Sequence, residues 1–310
     1  VGSEMCIRDS IVTDRFLFNS GMTTAITNTL DEIGVDYQIF FDVKPDPTLS
    51  TINDAMMMVK AYEPDVFIAL GGGSSMDAAK ILWLMYEQPD TVFEDIAMRF
   101  MDIRKRICMI PELGKKAEMV CVPTTSGTGS EVTPFAIITD DETGVKYAIA
   151  DYALTPNVAI IDPNLVDSMP KGLTAVSGYD AITHAIEAYV SVMATNFTNS
   201  NSLEALKLLF RYLKRSYDSG KNDPIAREKV HYASTIAGMA FANAFLGICH
   251  SMAHKLGAMF HVPHGMANAL LINQVIKFNA TDKPTKQTAF PQYKFPCACL
   301  LYTSPSPRDA

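Results

Sequence analysis

This sequence has fewer basic than acidic residues, and it lacks Cys-X-X-Cys pairs. The 310 residues include 26 Lys and Arg against 34 Asp and Glu, which gives a formal net charge of −8. A nucleic-acid-binding surface needs a basic excess, so no nucleic-acid partner is expected. The six cysteines are scattered without a Cys-X-X-Cys pair, which is typical of a protein in a reducing compartment.

Long apolar runs are also rare. The first ten residues lack the apolar segment of a signal peptide. The most apolar run, residues 233–249, contains Ser234, Thr235 and Asn243 and leads directly into His250. This pattern predicts a buried helix rather than a membrane span. We therefore expect a cytoplasmic protein that does not bind membranes.

Both ends of the chain look foreign. Residues 1–10 and 297–310 lack periodicity and resemble translated adapter or vector sequence, so we expect them to be non-native. The rest is long enough for two domains, and its 48% hydrophobic and 19% charged residues are typical of a compact enzyme.

The first half of the chain alternates strand and helix patterns. Continuous apolar runs such as residues 65–70 are typical of strands buried on both faces of a parallel sheet. Strands are predicted at 11–14, 37–43, 65–70, 119–122, 135–139, 146–150 and 158–161, and helices at 19–30, 51–62 and 76–86. Of these strands, 135–139 and 146–150 flank a turn and predict a β-hairpin.

After about residue 165 the strand patterns stop. Helical periods follow at 175–193, 202–217, 224–242 and 245–260. The sequence therefore predicts an α/β domain at 11–163 and an all-helical domain at 164–296, with a ligand site between the two halves.

Two loops in the α/β half are candidates for ligand binding, and the first of them for phosphate. Gly71, Gly72 and Gly73 follow a predicted strand and lead into a helix, and glycines there let a phosphate approach the backbone at a helix start. The loop 123–131 places hydroxyls and glycines after another strand, where α/β sheets bind ligands. The alternatives are a generic glycine turn and a plain Ser/Thr/Gly loop.

Histidines are concentrated in the helical half. Four of the six lie between positions 250 and 264, and Asp180 and His184 are four apart, on one face of a predicted helix. One carboxylate and up to three imidazoles suit Fe, Zn or another borderline cation. The spacing does not say which three histidines bind. The alternative is hydrogen-bonded histidines without a metal.

Four stretches together carry a family resemblance: GGGSSMD at 71–77, PTTSGTGSEVTPFAIITD at 123–140, GYDAITHAIEAYVS at 178–191 and GICHSMAHKLGAMFHVPHGMANA at 247–269. Over residues 11–296 the sequence resembles the iron-containing (group III) alcohol dehydrogenases. It is most similar to the C-terminal alcohol dehydrogenase domain of the bifunctional aldehyde–alcohol dehydrogenases. The resemblance implies a dehydroquinate synthase-like fold, truncated here at both ends, with an NAD-binding α/β domain and a metal-binding helical domain.

The resemblance also implies site residues. It places Fe(II), or alternatively Zn(II), on Asp180, His184, His250 and His264. It assigns a catalytic role beside the nicotinamide to His254 and leaves His231 and His261 outside the pattern. The implied cofactor-binding residues are Asp14, Gly72, Gly73, Ser74, Thr124, Thr125, Thr128 and Lys146. An acid at position 14 favours NAD over NADP.

The activity implied by this resemblance is reversible hydride transfer between NAD(H) and small primary alcohols or aldehydes, with ethanol and acetaldehyde first. A homo-oligomer, either a dimer or a filament, is expected for the full-length protein. The alternatives are a polyol (glycerol-type) dehydrogenase of the same fold, an enzyme of phosphorylated sugars such as dehydroquinate synthase, and an inactive fragment with an assembly role.

Overall fold

The computed structural model describes residues 7–96 and 110–280, which form two compact units. Among the described residues, the first unit contains 7–96, 110–124 and 134–165, and the second contains 125–133 and 166–280. The structure thus groups the loop 125–133 with the helices of the second unit, whereas the predicted boundary at 163 assigned it to the first. The domain ranges 11–163 and 164–296 otherwise stay a prediction, and residues 297–310 lie outside the described part.

The first unit is built on a parallel sheet. Its elements in the described residues are β1 (Arg8–Asp14), α1 (Arg15–Asn19), α2 (Thr24–Ile33), β2 (Asp36–Val43), α3 (Leu49–Tyr62), β3 (Val66–Gly71), α4 (Gly73–Glu87), α5 (Phe93–Ile96), β4 (Glu118–Pro123), β5 (Phe135–Thr139), β6 (Lys146–Ala150) and β7 (Val158–Ala159). Five strands pair in parallel in the order β2-β1-β3-β4-β7, and β5 and β6 form an antiparallel hairpin. The predicted α/β architecture and its hairpin are confirmed.

Helix α4 ties the hairpin to this unit. Most of its residues are buried, and Lys80 is 0% exposed, with its ammonium donating to the backbone carbonyl of Phe135 at 2.9 Å. The backbone N–H of Ile137 donates to the carboxylate of Asp77 at 3.0 Å. A buried lysine and a carboxylate are stable here because each has a hydrogen-bond partner. These bonds fix β5 against the helix that follows the glycine loop.

The predicted helix at 19–30 is interrupted in the structure. Helix α1 ends at Asn19, and α2 begins only at Thr24. Between them Gly21 adopts a φ of 76°, a left-handed conformation that glycine reaches without steric conflict. The predicted helix is therefore confirmed from Thr24 onward, and its predicted start at Asn19 was wrong because Gly21 interrupts the helical backbone.

Residues 8–10 belong to the fold, although the sequence analysis set residues 1–10 aside as non-native. They form the start of β1, where Arg8, Asp9 and Ser10 pair with β2, and Ser10 is 0% exposed. Excluding these three residues from the fold was wrong. Their pairing with residues 36–38 shows that the strand extends beyond the apolar stretch on which the prediction relied. Residues 1–6 lie outside the described residues.

The carboxylate of Asp9 is buried in strand β1 without full hydrogen bonding. It lies in β1, which pairs with a strand on each side, the residue is 5% exposed, and Oδ1 has no hydrogen-bond partner in the described structure. Burial, and then the negative charge of Asp65, raise the pKa of Asp9 to about 6 from 3.8. A buried carboxylate without full hydrogen bonding destabilises the folded state.

Replacing Asp9 with valine is expected to stabilise the protein. At pH 7 the free energy of unfolding should rise by about 1–3 kcal/mol, the usual penalty of a poorly satisfied buried polar group. The folded protein retains the Asp9 proton to higher pH than the unfolded chain, so this residue's contribution falls as pH rises from 3.8 to about 6. The stability gain of the variant should grow over that window and then level off. Urea unfolding of both proteins at pH 4.5 and 7.5 measures it, and an equal gain at both pH values would contradict the explanation.

The second unit is helical throughout its described residues, apart from turns and loops. Its helices are α6 (Lys171–Val190), α7 (Asn196–Ser219), α8 (Pro224–Ala244), α9 (Ile248–Phe260) and α10 (His264–Asn279). The predicted all-helical half is confirmed. Helix α9 begins three residues later than predicted, because Phe245 has a φ of 60° that interrupts the helical backbone.

Two glycines bring the loop 125–133 close to these helices. A Cβ on Gly127 would lie 2.6 Å from the backbone oxygen of Ser177 on α6, and a Cβ on Gly129 would lie 2.7 Å from Cα of Gly238 on α8. Only glycine allows such close approach of two backbones. The loop therefore packs directly on α6, which carries Asp180 and His184, and on α8.

No single helix among the described residues is long and apolar enough to cross a membrane. Helices α8 and α9 pass such a test only as a pair, and they are bent by 106° at the break between them. Residues 233–244 of the predicted buried helix lie in α8, many of whose residues are buried, but the helix ends at Ala244 and residues 245–247 form the break before α9.

Candidate functional site

Three helices of the second unit supply the predicted metal ligands. Asp180 and His184 lie one turn apart on α6, His250 lies in the first turn of α9, and His264 is the first residue of α10. Asp180, His184 and His250 are 3–5% exposed. The side chain of His264 is 39% exposed, so the cluster is reachable from its side.

The side chains converge on one carboxylate oxygen. Nε2 of His184, His250 and His264 lies 3.8, 3.5 and 3.6 Å, respectively, from Oδ1 of Asp180. Ligand atoms of Asp180, His184 and His250 all lie within 4.8 Å of one another. Metal–donor distances near 2.1 Å in a tetrahedral shell imply about 3.4 Å between donors. The spacing of these three residues therefore fits a divalent cation, and His264 approaches the same oxygen of Asp180 without belonging to that group.

Two of the imidazoles are oriented through their other ring nitrogen. Nδ1 of His184 lies 3.2 Å from the carbonyl oxygen of Gly127, and Nδ1 of His250 lies 2.5 Å from Oε2 of Glu187. Both partners are acceptors, so each Nδ1 carries the donated proton. This arrangement points Nε2 at the shared centre, as in histidines that bind metals.

Charges in the cluster also favour a cation. Burial lowers the pKa of His184 to about 4, so this imidazole is neutral near pH 7. Burial opposes ionisation of Asp180, but neighbouring imidazoles, His184 first, hold its pKa well below its usual value. Burial would lower the pKa of His250, but hydrogen bonds with Asp180 and Glu187 raise it to about 9. Two buried carboxylates thus require positive charge beside them, which either a protonated His250 or a divalent cation can supply.

Cys249 is adjacent to the cluster but is not suited to bind the metal. Burial, and then the charges of Glu187 and Asp180, raise the pKa of its thiol to about 12. Metals bind the thiolate, which this environment disfavours. Its Sγ instead lies 3.7 Å from the carbonyl oxygen and from Oδ1 of Asn268.

Asn268 and Glu187 are site residues that sequence reasoning missed. Nδ2 of Asn268 lies 2.7 Å from Oδ1 of Asp180 and 3.1 and 3.3 Å from Nε2 of His250 and His264. The sequence could have indicated Asn268, because it follows His264 by four residues and therefore lies on the same helical face. Glu187 follows His184 by three residues and gave the same kind of signal.

The other histidines are placed differently. The ring of His254 lies 4.9 Å from that of His264, in an edge-to-face arrangement. Nδ1 of His231 lies 3.0 Å from Oγ of Ser126, with both residues buried. His261 is exposed and ends α9 with a φ of 55°. His254 therefore contacts the predicted ligand His264.

Predicted cofactor residues of the first unit meet at one edge of the sheet. Asp14 ends β1, Gly72 follows β3 as the N-cap of α4, and Thr124 follows β4, with its backbone N–H donating to the carbonyl of Gly71 at 2.9 Å. Gly73 and Ser74 begin α4. Strands β1, β3 and β4 are adjacent and parallel, so their carboxyl ends share this edge.

The other predicted cofactor residues belong to other elements, and a cofactor role for all eight stays a prediction. Lys146 begins β6, and its ammonium lies 2.6 Å from the carboxylate of Asp46. Thr125 and Thr128 belong to the second unit, where Oγ1 of Thr128 accepts from the backbone N–H of Ser130 at 3.4 Å.

Two curated relatives resemble the chain over most of its length. It is 62% identical over 295 residues to the bifunctional aldehyde-alcohol dehydrogenase AdhE of Escherichia coli, covering 95% of this chain and 33% of that protein. It is 46% identical over 260 residues to the NADPH-dependent butanol dehydrogenase of Clostridium saccharobutylicum, covering 84% of this chain and 64% of that protein. The chain thus spans about a third of the first relative.

Solved structures share the fold. An iron-containing alcohol dehydrogenase from Thermococcus thioreducens has a TM-score of 0.82 at 34% identity, over 89% of this chain and 70% of that one. A sulfoacetaldehyde reductase from Bifidobacterium kashiwanohense in complex with NAD+ has a TM-score of 0.79 at 30% identity, over 88% and 69%.

Family models match both units. The model for iron-containing alcohol dehydrogenase matches residues 3–163, and the model for the C-terminal part of the Fe-containing alcohol dehydrogenase family matches residues 174–293. The first match alone covers more than half of the chain. This protein belongs to the iron-containing alcohol dehydrogenase family.

Proposed function

We propose that this chain interconverts small primary alcohols and aldehydes, ethanol and acetaldehyde first, by hydride transfer with NAD(H). The observation that carries the proposal is the convergence of three imidazoles on the buried carboxylate of Asp180. Membership of an alcohol dehydrogenase family supports the reaction class. The choice of ethanol and acetaldehyde as substrates rests on similarity to a bifunctional relative, of which the chain spans 33%.

The proposed ligands are Asp180, His184, His250 and His264, with Fe(II) as the metal and Zn(II) as the alternative. A bound divalent cation polarises a carbonyl oxygen and favours the alkoxide form of an alcohol. Asp180, His184 and His250 are buried and exclude water from the inner side of the cluster. The half-exposed side of His264 is therefore where the chain admits a small substrate.

The start of α4 is the proposed pyrophosphate site. Gly72 caps this 15-residue helix without a side-chain hydrogen bond, so the first backbone N–H groups are directed at the loop. A helix N-terminus attracts anions, and the absence of a Cβ at Gly72 and Gly73 leaves room for phosphate oxygens. A relative bound to NAD+ supports a nicotinamide cofactor.

Asp14 supports NAD rather than NADP. Its carboxylate lies at the carboxyl end of β1 and caps α1 by accepting from the backbone N–H of Leu17 at 2.9 Å. A fixed negative charge beside the adenosine ribose repels a 2′-phosphate. Because one relative is named NADPH-dependent, both cofactors belong in the assay.

Replacing His254 with alanine is expected to slow turnover and leave the metal in place. The ring of His254 lies 4.9 Å from that of His264, and an imidazole titrates near neutral pH, so it suits proton transfer to solvent. The loss of such a group typically lowers kcat by about 10²-fold or more. Steady-state kinetics over pH 6–9 and metal analysis measure the effect. The control is His261→Asn at the exposed end of α9, and a wild-type pH profile in His254→Ala would remove the relay role.

One assay separates the proposed function from its rivals. The chain, reconstituted with Fe(II) or Zn(II), is mixed with NADH or NADPH and with acetaldehyde; the reverse direction compares ethanol with glycerol. We expect acetaldehyde-dependent NADH oxidation. Preference for glycerol would favour a polyol dehydrogenase. Metal binding without turnover of any of these substrates would favour an inactive fragment with a role in assembly.

A further inference from the structure

Glu187 lies behind the metal cluster on helix α6. It follows Asp180 by seven residues and His184 by three, so all three share one helical face. The residue is 2% exposed. A buried carboxylate is retained only where enough donors satisfy it.

The hydrogen bonds that this carboxylate accepts come from the start of α9. Oε1 accepts from the backbone N–H of Cys249 at 2.8 Å. Oε2 accepts from the backbone N–H of His250 at 3.3 Å and from its ring Nδ1 at 2.5 Å. Gly247, the N-cap of α9, supplies no side-chain hydrogen bond. Glu187 therefore caps the N-terminus of α9 from helix α6, and it also accepts a hydrogen bond from the imidazole of His250 in the same turn.

The two buried imidazoles of the cluster are held by different groups. Nδ1 of His184 donates to a neutral backbone carbonyl, that of Gly127, at 3.2 Å. Nδ1 of His250 donates to a carboxylate. A carboxylate acceptor makes the other ring nitrogen a stronger electron donor to a metal and fixes the ring more firmly than a carbonyl does.

We propose that Glu187 is a positioning residue that fixes the orientation and donor strength of His250 and joins the metal to the start of α9. The inference rests on the proposed metal ligands. Three N–H donors meet two carboxylate oxygens at this position. A glutamine has only one acceptor oxygen. Its NH₂ group would face one of these three N–H donors, so that donor would lose its hydrogen bond. Glu187→Gln should therefore weaken metal binding even though the side chain keeps its size.

The experiment measures Co(II) and Zn(II) affinity by competition with a chelating indicator, together with the visible absorption spectrum of the Co(II) protein. Glu187→Gln should bind both metals about 10- to 100-fold more weakly, the usual effect of removing such a partner, with a shifted Co(II) spectrum. Glu187→Asp keeps the charge and should recover part of the affinity. The control is Glu204→Gln on α7, where the side chain is 47% exposed and pairs with Lys207; it should bind like wild type.

The outcomes separate this inference from the proposed function. Wild-type affinity and spectrum in a folded Glu187→Gln would overturn the inference and leave the ligand set intact. A wild-type chain that binds neither metal would overturn the proposed metal centre and the inference with it. If the glutamine variant does not fold, Glu187→Asp decides: an unchanged Co(II) spectrum and affinity would count against a positioning role.

Discussion

His264→Ala is expected to remove bound metal and alcohol dehydrogenase activity together. His264 supplies the one partly exposed donor of the cluster, with Nε2 3.6 Å from Oδ1 of Asp180. A metal charge beside the substrate oxygen is worth several kcal/mol to the transition state. Its loss should lower kcat/KM by about 10³-fold or more. The measurements are metal content after Fe(II) reconstitution and acetaldehyde-dependent NADH oxidation.

The position of His264 should let the His264→Ala variant fold normally. It begins α10 and its side chain is 39% exposed, so a smaller side chain there should not open a large cavity. Thermal unfolding is expected to stay near that of wild type. His261→Asn again serves as the control, because asparagine tolerates the left-handed backbone at that position. Full metal content with full activity in His264→Ala would exclude His264 as a ligand.

The sequence predicted the helical faces of the site but not the choice of histidines. The pairs Asp180/His184 and His250/His254 have the same four-residue spacing. In the structure, Asp180, His184 and His250 place ligand atoms within 4.8 Å of one another, and this group does not include His254. One helical turn advances the chain by about 5.4 Å, so two residues on one face need not reach the same point. Spacing along one helix cannot reveal where another helix crosses it.

Helix and strand boundaries were predicted less well where single residues determine them. The all-helical half and the β-hairpin followed from periodicity, because burial of one face repeats regularly along the chain. Gly21, Phe245 and His261 end or interrupt helices through positive φ values, and periodicity does not register a single residue's backbone conformation. The strand at residues 8–10 was missed for another reason: Asp9 does not fit the pattern of a buried strand.

Close contact between α6 and α10 sets the place of His264. A Cβ on Gly265 would lie 2.0 Å from the backbone oxygen of Val176 on α6 and 2.8 Å from its carbonyl carbon. Real Cβ atoms do not approach backbone that closely. Gly265 follows His264 directly, so the packing that needs glycine also determines where the first turn of α10 presents its imidazole.

Gly265→Ala should therefore damage both stability and the metal site. Because the clash is with backbone, α10 must move away from α6, and overpacking of this kind typically lowers the free energy of unfolding by about 1–3 kcal/mol. A shift of about 1 Å in a site residue can lower the rate by about 10²-fold, so kcat/KM and metal affinity should fall in the protein that remains folded. Urea unfolding, metal titration and kinetics test this.

Gly172→Ala is the matched control for this prediction. Gly172 lies in the first turn of α6, and a Cβ there would meet no atom within 4 Å. Alanine is favoured over glycine in helices by up to about 1 kcal/mol, so this variant should be as stable as wild type or slightly more stable, with unchanged metal binding. If Gly265→Ala behaved like Gly172→Ala, the contact between α6 and α10 would not be what positions His264. If it lost metal binding while keeping its stability, the same contact would act chiefly on the site.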